Sequence, residues 1–61
     1  LDAVYRRARA ETDENILNWL ERAMIERTLQ ETSGNQLKSA SILGITRATL
    51  RKRIEQYELK V

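Results

Sequence analysis

One glycine, Gly44, constrains this chain more than any other residue. It divides the stretch GNQLKSASILGITRATLRKRIEQY, residues 34–57, into two short helical segments. Asn35 can cap the first segment, which runs through Gln36 to Leu43. Gly44 stands where the chain must reverse, because a residue without Cβ tolerates positive φ. Thr46 can then cap a second helix opening with Arg47, Ala48 and Thr49. Helix, short glycine turn and helix with a basic outer face form a helix-turn-helix, the pattern that places its second helix in the DNA major groove.

The register supports that pattern. With Gln36 as the first position, a small residue, Ala40, falls fifth and Gly44 ninth. The small side chain lets the helices cross closely, and Leu43, Ile45 and Leu50 occupy the positions that hold them apart at a fixed angle. Ser39 is a weaker choice than the usual apolar residue at the fourth position. On the second helix, Leu50, Ile54 and Tyr57 follow i, i+4, i+7 spacing and face inward. Ala48 and Lys52 point the other way, with Arg47 and Arg51 on one margin and Thr49 and Arg53 on the other.

Chemistry assigns roles on that outer face. Arg47 can fork onto guanine O6 and N7, a contact worth about 1–3 kcal/mol of base discrimination. Thr46 and Thr49 can bond phosphate or a base edge, and Ala48 leaves room for close approach. Arg51, Lys52 and Arg53 suit phosphate contacts, which give affinity and salt dependence without reading sequence. The amides beside Asn35, at the start of the first helix, offer a further phosphate site. The bland alternative is a solvated basic face on a structural helix.

Upstream, the chain shows helical periodicity from Glu14 to about Ser33, with Thr12 or Asp13 as the expected cap and Gly34 as the expected C′ residue. Its apolar residues cover two sides. Ile16, Leu17, Trp19, Leu20, Ala23 and Met24 spread over one broad sector, while Ile25 and Leu29 fall near the opposite one. A surface helix needs one stripe; two stripes need two partners. One is the helix-turn-helix. A second copy of the same helix is the expected other, which makes Ile16, Leu17, Leu20, Met24, Ile25 and Leu29 the candidate dimerisation residues. The competing cover is the short helix read over Leu1 to Ala10, where Leu1, Val4, Tyr5 and Ala8 have helical spacing. Its Arg6, Arg7 and Arg9 read as a solvated face.

Size and charge point the same way. A chain of 61 residues forms one domain at most, and at that size only about 60% of the unfolded surface is buried. The chain holds no Cys, His or Pro, so disulfide and zinc staples are unavailable and oligomerisation is the natural supplement. Residues 1–33 carry five basic against seven acidic groups, and residues 34–61 carry six against two. The resulting −2 and +4 assign a polyanionic partner to the second part alone. Without Cys, His or a Gly-rich phosphate loop, no catalytic residue, metal site, cofactor or small-molecule ligand is expected, and the chain does not read as an enzyme. No run approaches the ~20 apolar residues of a membrane span, and no signal peptide is visible, so the expected location is cytoplasmic.

The stretch GNQLKSASILGITRATLRKRIEQYELK resembles the DNA-binding domain of the Fis family, which also closes NtrC-type, sigma-54-dependent two-component response regulators of bacteria. The resemblance rests on Gly34-Asn35, Ala40, Leu43-Gly44-Ile45, Arg47 and Thr49-Leu50-Arg51-Lys52. The segment ILNWLERAMIERTLQETS is similar to the family's long dimerisation helix, so about fifty of the 61 residues are covered. Ser39 stands for the first of a pair of alanines, Leu37 for a residue that often bears a hydroxyl, Thr46 for a common asparagine, and Glu58 for a glycine after the last helix. The last change leaves that helix end less sharply defined. The resemblance implies an intertwined homodimer whose two recognition helices enter successive major grooves of a partly palindromic site, often bending it.

The expected fold is therefore all-α, a small helical bundle with a C-terminal helix-turn-helix. Residues 1–61 form one domain, with N-terminal and dimerisation helices over 1–33 and the helix-turn-helix over 34–61. The expected function is sequence-specific binding of double-stranded DNA as the C-terminal domain of an NtrC-type transcriptional regulator. Leu1 in place of a start methionine, and the short first helix, favour a severed domain over a free-standing Fis-like nucleoid and DNA-bending protein. A helical dimerisation module that leaves DNA alone is the third reading.

Overall fold

A computed structural model of the chain describes residues 1–13 and 15–59, and the elements among them are four helices: α1 (Asp2–Glu11), α2 (Ile16–Glu31), α3 (Gln36–Leu43) and α4 (Arg47–Gln56). Glu14, the expected first residue of the long helix, and Lys60, counted in the basic part, lie outside the described residues. The all-α architecture and the helix-turn-helix at α3–α4 are as the sequence implies.

The α2 cap differs from expectation. Asn15, rather than Thr12 or Asp13, caps the helix: its Oδ1 accepts from the amides of Leu17 at 2.8 Å and Asn18 at 3.3 Å. An Asx side chain directly before the first helical residue reaches those free amides, whereas Thr12 lies four residues upstream of the helix and closes α1 in extended backbone. The remaining caps follow the sequence reading. Asn35 Oδ1 accepts from the Lys38 amide at 3.0 Å, and Thr46 Oγ1 from the Thr49 amide at 3.1 Å.

Three helices end in the same way, with the paired 6→1 and 5→2 amide bonds of a Schellman motif. In α2 these run from Gly34 to Leu29 and from Ser33 to Gln30; in α3 from Ile45 to Ala40 and from Gly44 to Ser41; in α4 from Leu59 to Ile54 and from Glu58 to Glu55. The left-handed C′ residues are Ser33 (φ 56°), Gly44 (φ 79°) and Glu58 (φ 53°). Gly34, expected at C′, is thus one residue further on, also at positive φ (85°). Glu58 does not blur the end of α4; the motif closes on a non-glycine residue.

The core forms between α2 and the helix-turn-helix from Ile25, Leu29, Ala40, Leu50 and Ile54. Leu43, Ile45, Tyr57 and Leu59 pack against it, so the residues that follow two of the Schellman turns, Ile45 and Leu59, help close it. Ala40 is buried where α3 meets α4, as the close crossing requires. Ser39 is buried too, and its hydroxyl bonds Thr32 Oγ1 at 2.7 Å, tying the start of α3 to the end of α2. Buried hydroxyls that find partners cost little, which is why serine is accommodated here. The helix α1 packs on α2 and buries Ala8.

Candidate nucleic-acid interface

The outer face of α4 begins at the Thr46 cap. Arg47, Ala48, Arg51 and Lys52 are exposed, as are Asn35 and Lys38 at the start of α3. Among the described residues, none of Arg47, Arg51, Lys52 and Lys38 is paired with a carboxylate. Their cations are therefore available to an external anion. Asn35 spends its side-chain oxygen on the α3 cap, which leaves the amide nitrogen to donate outward.

The two threonines are not equivalent. Thr46 Oγ1 accepts from the Thr49 amide and donates its proton to Thr49 Oγ1 at 2.9 Å. Its donor capacity is spent locally. Thr49 accepts that bond and keeps its own proton free to give. Thr49 is half-buried and lines a cleft of about 190 Å³ together with Glu21, Met24, Ile25, Leu43, Ile45 and Arg53.

Arg53 departs from its expected place on the outer margin. Its Nε lies 2.5 Å from Glu21 Oε1 of α2, and its Nη1 reaches Gln56 Oε1 at 3.4 Å. At about 100° per residue, Arg53 sits only about 40° from the inward-facing Tyr57, close enough for a long side chain to turn toward α2. Glu21 was absent from the candidates because no local pattern marks it. Its place beside the Ile25–Leu29 stripe is the one sequence signal that could have found it.

The candidate dimerisation residues also separate into two groups. Ile25 (2% exposed) and Leu29 (5%) belong to the protomer's own core. They fall on the stripe that α3 and α4 cover. Leu17 (73%) and Met24 (49%) are exposed on the other side, with Ile16 and Leu20 half-buried. No cluster of potential metal ligands occurs among the described residues, and no described helix is long and apolar enough to cross a membrane.

Comparison with known proteins places this geometry. The family described as "Bacterial regulatory protein, Fis family" matches residues 17–57, from the start of α2 to the end of α4. The "DNA-binding protein Fis" of Buchnera aphidicola subsp. Schizaphis graminum is 45% identical over 42 residues, covering 69% of this chain and 42% of the relative. That of Glaesserella parasuis serovar 5 is 43% identical over 44 residues, covering 72% and 45%. The "DNA-binding transcriptional regulator NtrC" of Azospirillum brasilense is 42% identical over 48 residues, covering 79% of this chain and 10% of the relative. The chain thus spans less than half the length of these curated relatives. No solved structure matches it. With more than half of its residues matched, and the match running through α2, α3 and α4, the chain belongs to the Fis family of bacterial regulatory proteins.

Proposed function

We propose that this chain is a sequence-specific double-stranded DNA-binding domain of a bacterial transcriptional regulator, acting as a homodimer in the cytoplasm. The observation that carries the reading is the face of α4, where exposed, carboxylate-free Arg47, Arg51 and Lys52 flank the small Ala48 next to the helix start. Small centre and basic flanks suit a helix whose first turn approaches base edges while its margins meet phosphates. Arg47 reads guanine, Arg51 and Lys52 hold phosphates, and Thr49 rather than Thr46 donates a hydroxyl proton to the backbone. Asn35 adds its amide at the α3 end.

The dimer is built on Leu17, Met24, Ile16 and Leu20, the apolar residues of α2 that the helix-turn-helix leaves uncovered. Residues 1–61 act as one domain. The setting we favour is the C-terminal domain of an NtrC-type, sigma-54-dependent regulator. The free-standing Fis-type reading is supported equally by the relatives named Fis, each matched over two thirds or more of this chain.

Selection of bound sequences from a random duplex pool tests the reading. The expected result is a partly palindromic consensus whose half-sites are one helical turn apart. Recovery of no sequence above background would overturn it. Arg47→Ala should relax preference at one base pair per half-site, costing about 1–3 kcal/mol on the selected duplex. Lys52→Ala should weaken selected and scrambled duplexes alike, as titrations against both will show.

A further inference from the structure

The Arg53–Glu21 contact joins α4 to α2 across 32 positions of sequence, and it removes a guanidinium from the basic face of α4. Glu21 Oε1 is closed off from solvent, and the charge that faces it is the Arg53 guanidinium. Gln56 Oε1 holds the far end of the same guanidinium. Both ionic side chains remain partly exposed, 38% for Arg53 and 40% for Glu21, so the pair lies at the rim of the cleft rather than deep within the core. Neighbouring Arg51 and Lys52 have no such partner among the described residues. The α4 cations are thus divided into three that face outward, Arg47, Arg51 and Lys52, and one that the Glu21 carboxylate occupies.

Resting on the DNA-binding reading above, we propose that Glu21 is a positioning residue that stands in for phosphate, holding Arg53 off the duplex and so limiting sequence-independent affinity. A phosphate competing for Arg53 would have to draw it from both Glu21 and Gln56, and would leave Oε1, the solvent-closed oxygen of an otherwise half-exposed carboxylate, without its cation. The guanidinium therefore stays with the protein when DNA binds. Removing the carboxylate releases it, and its long stem carries it round to the phosphate-facing margin beside Thr49.

Salt dependence reads this directly, because each neutralised phosphate adds about 0.9 to the slope of log affinity against log salt. Four chains are titrated with a scrambled duplex over a range of salt: wild type, Glu21→Gln, Arg53→Met and the double variant. Glu21→Gln should steepen the slope by about 0.9 per bound protomer. Arg53→Met, which keeps the aliphatic stem, should retain the wild-type slope. The double variant should return to it, separating release of Arg53 from the mere loss of a negative charge. Helical circular dichroism accompanies each titration, so a slope is compared only between folded chains. A wild-type slope in Glu21→Gln, or a flattened one in Arg53→Met, would overturn the inference while leaving DNA binding intact. A wild-type chain that binds no duplex would overturn the underlying reading and this inference with it.

Discussion

The helix-turn-helix and the N-terminal helices solve the burial problem differently. Residues 34–59 meet α2 in a core where Leu50 is fully enclosed, and the helices there have side-chain caps and Schellman ends. In the N-terminal part, α1 lacks a side-chain cap bond at its start, and Leu1, Val4, Tyr5, Leu17 and Met24 remain exposed. Among the described residues of the other part, only Leu37 and Ile42 are comparable. The same helix, α2, serves both regions: its Ile25–Leu29 side is complete within the chain, and its Leu17–Met24 side is not. One chain therefore completes the helix-turn-helix core by itself while leaving the Leu17–Met24 side of α2 exposed, the side on which the proposed dimer rests.

The sharpest test of that contrast pairs Leu50→Ala with Leu17→Ala. At about 0.05–0.15 kcal/mol per residue, a domain this size has a total stability of about 3–9 kcal/mol. Emptying the Leu50 site should cost about 2–5 kcal/mol, a large share of it, and thermal unfolding should register the loss plainly. Leu17→Ala should leave the helix content of the protomer almost unchanged. Its effect should appear instead in sedimentation, as a dissociation of the proposed dimer at higher protein concentration. Equal destabilisation by the two substitutions would mean that the N-terminal side is as complete as the other.

A smaller effect separates the glycine-built helix end from those built without one. At Gly44 an added Cβ would meet nothing within 4 Å, so Gly44→Ala is penalised by its positive φ alone. The strain is about 1–2 kcal/mol, partly offset by about 0.4–1 kcal/mol from a stiffer unfolded chain. A net loss of roughly 0.5–1 kcal/mol should result. Glu58 sits at the same step of the same motif at the end of α4, with φ 53°. Glu58→Gly should therefore stabilise by a similar amount, read from the denaturant midpoint. A loss of stability in Glu58→Gly would show that its side chain contributes more than its backbone costs.

Much of this was legible in the sequence because the signals are local. Gly44, Asn35 and Thr46 announce their turn and caps through side-chain chemistry that acts within a few residues, and each is found in that role. The cap of α2 was misplaced because Thr12, Asp13 and Asn15 are all competent, and only the first helical residue chooses between them. Ile25 and Leu29 were recognisable as a separate stripe, yet periodicity does not say which partner covers a stripe. Arg53 was misread for a related reason. A wheel places a Cα, whereas a long side chain follows the nearest opposite charge, here a carboxylate 32 residues away. The Ser39–Thr32 bond was equally out of reach, since it depends on how α3 leaves the end of α2.

The smallest expected effect lies at the seam between the two regions. Tyr57 packs against the core and also lines a surface recess with Trp19, Arg22, Glu11 and Asp13 of the N-terminal part. Burial raises its phenol pKa above the ordinary value near 10, Glu21's negative charge raises it further, and Arg53 opposes them. The folded chain thus keeps the Tyr57 proton at a pH where the unfolded chain has begun to release it. The corresponding stability is fully present below about pH 10 and declines as pH rises through the folded-state pKa. Tyr57→Phe removes this titration while keeping the ring. Between about pH 9 and 11, wild type should lose melting temperature faster than Tyr57→Phe, and Glu21→Gln should narrow that difference. Parallel pH profiles for wild type and Tyr57→Phe would mean that the seam leaves the phenol as free as it is in the unfolded chain.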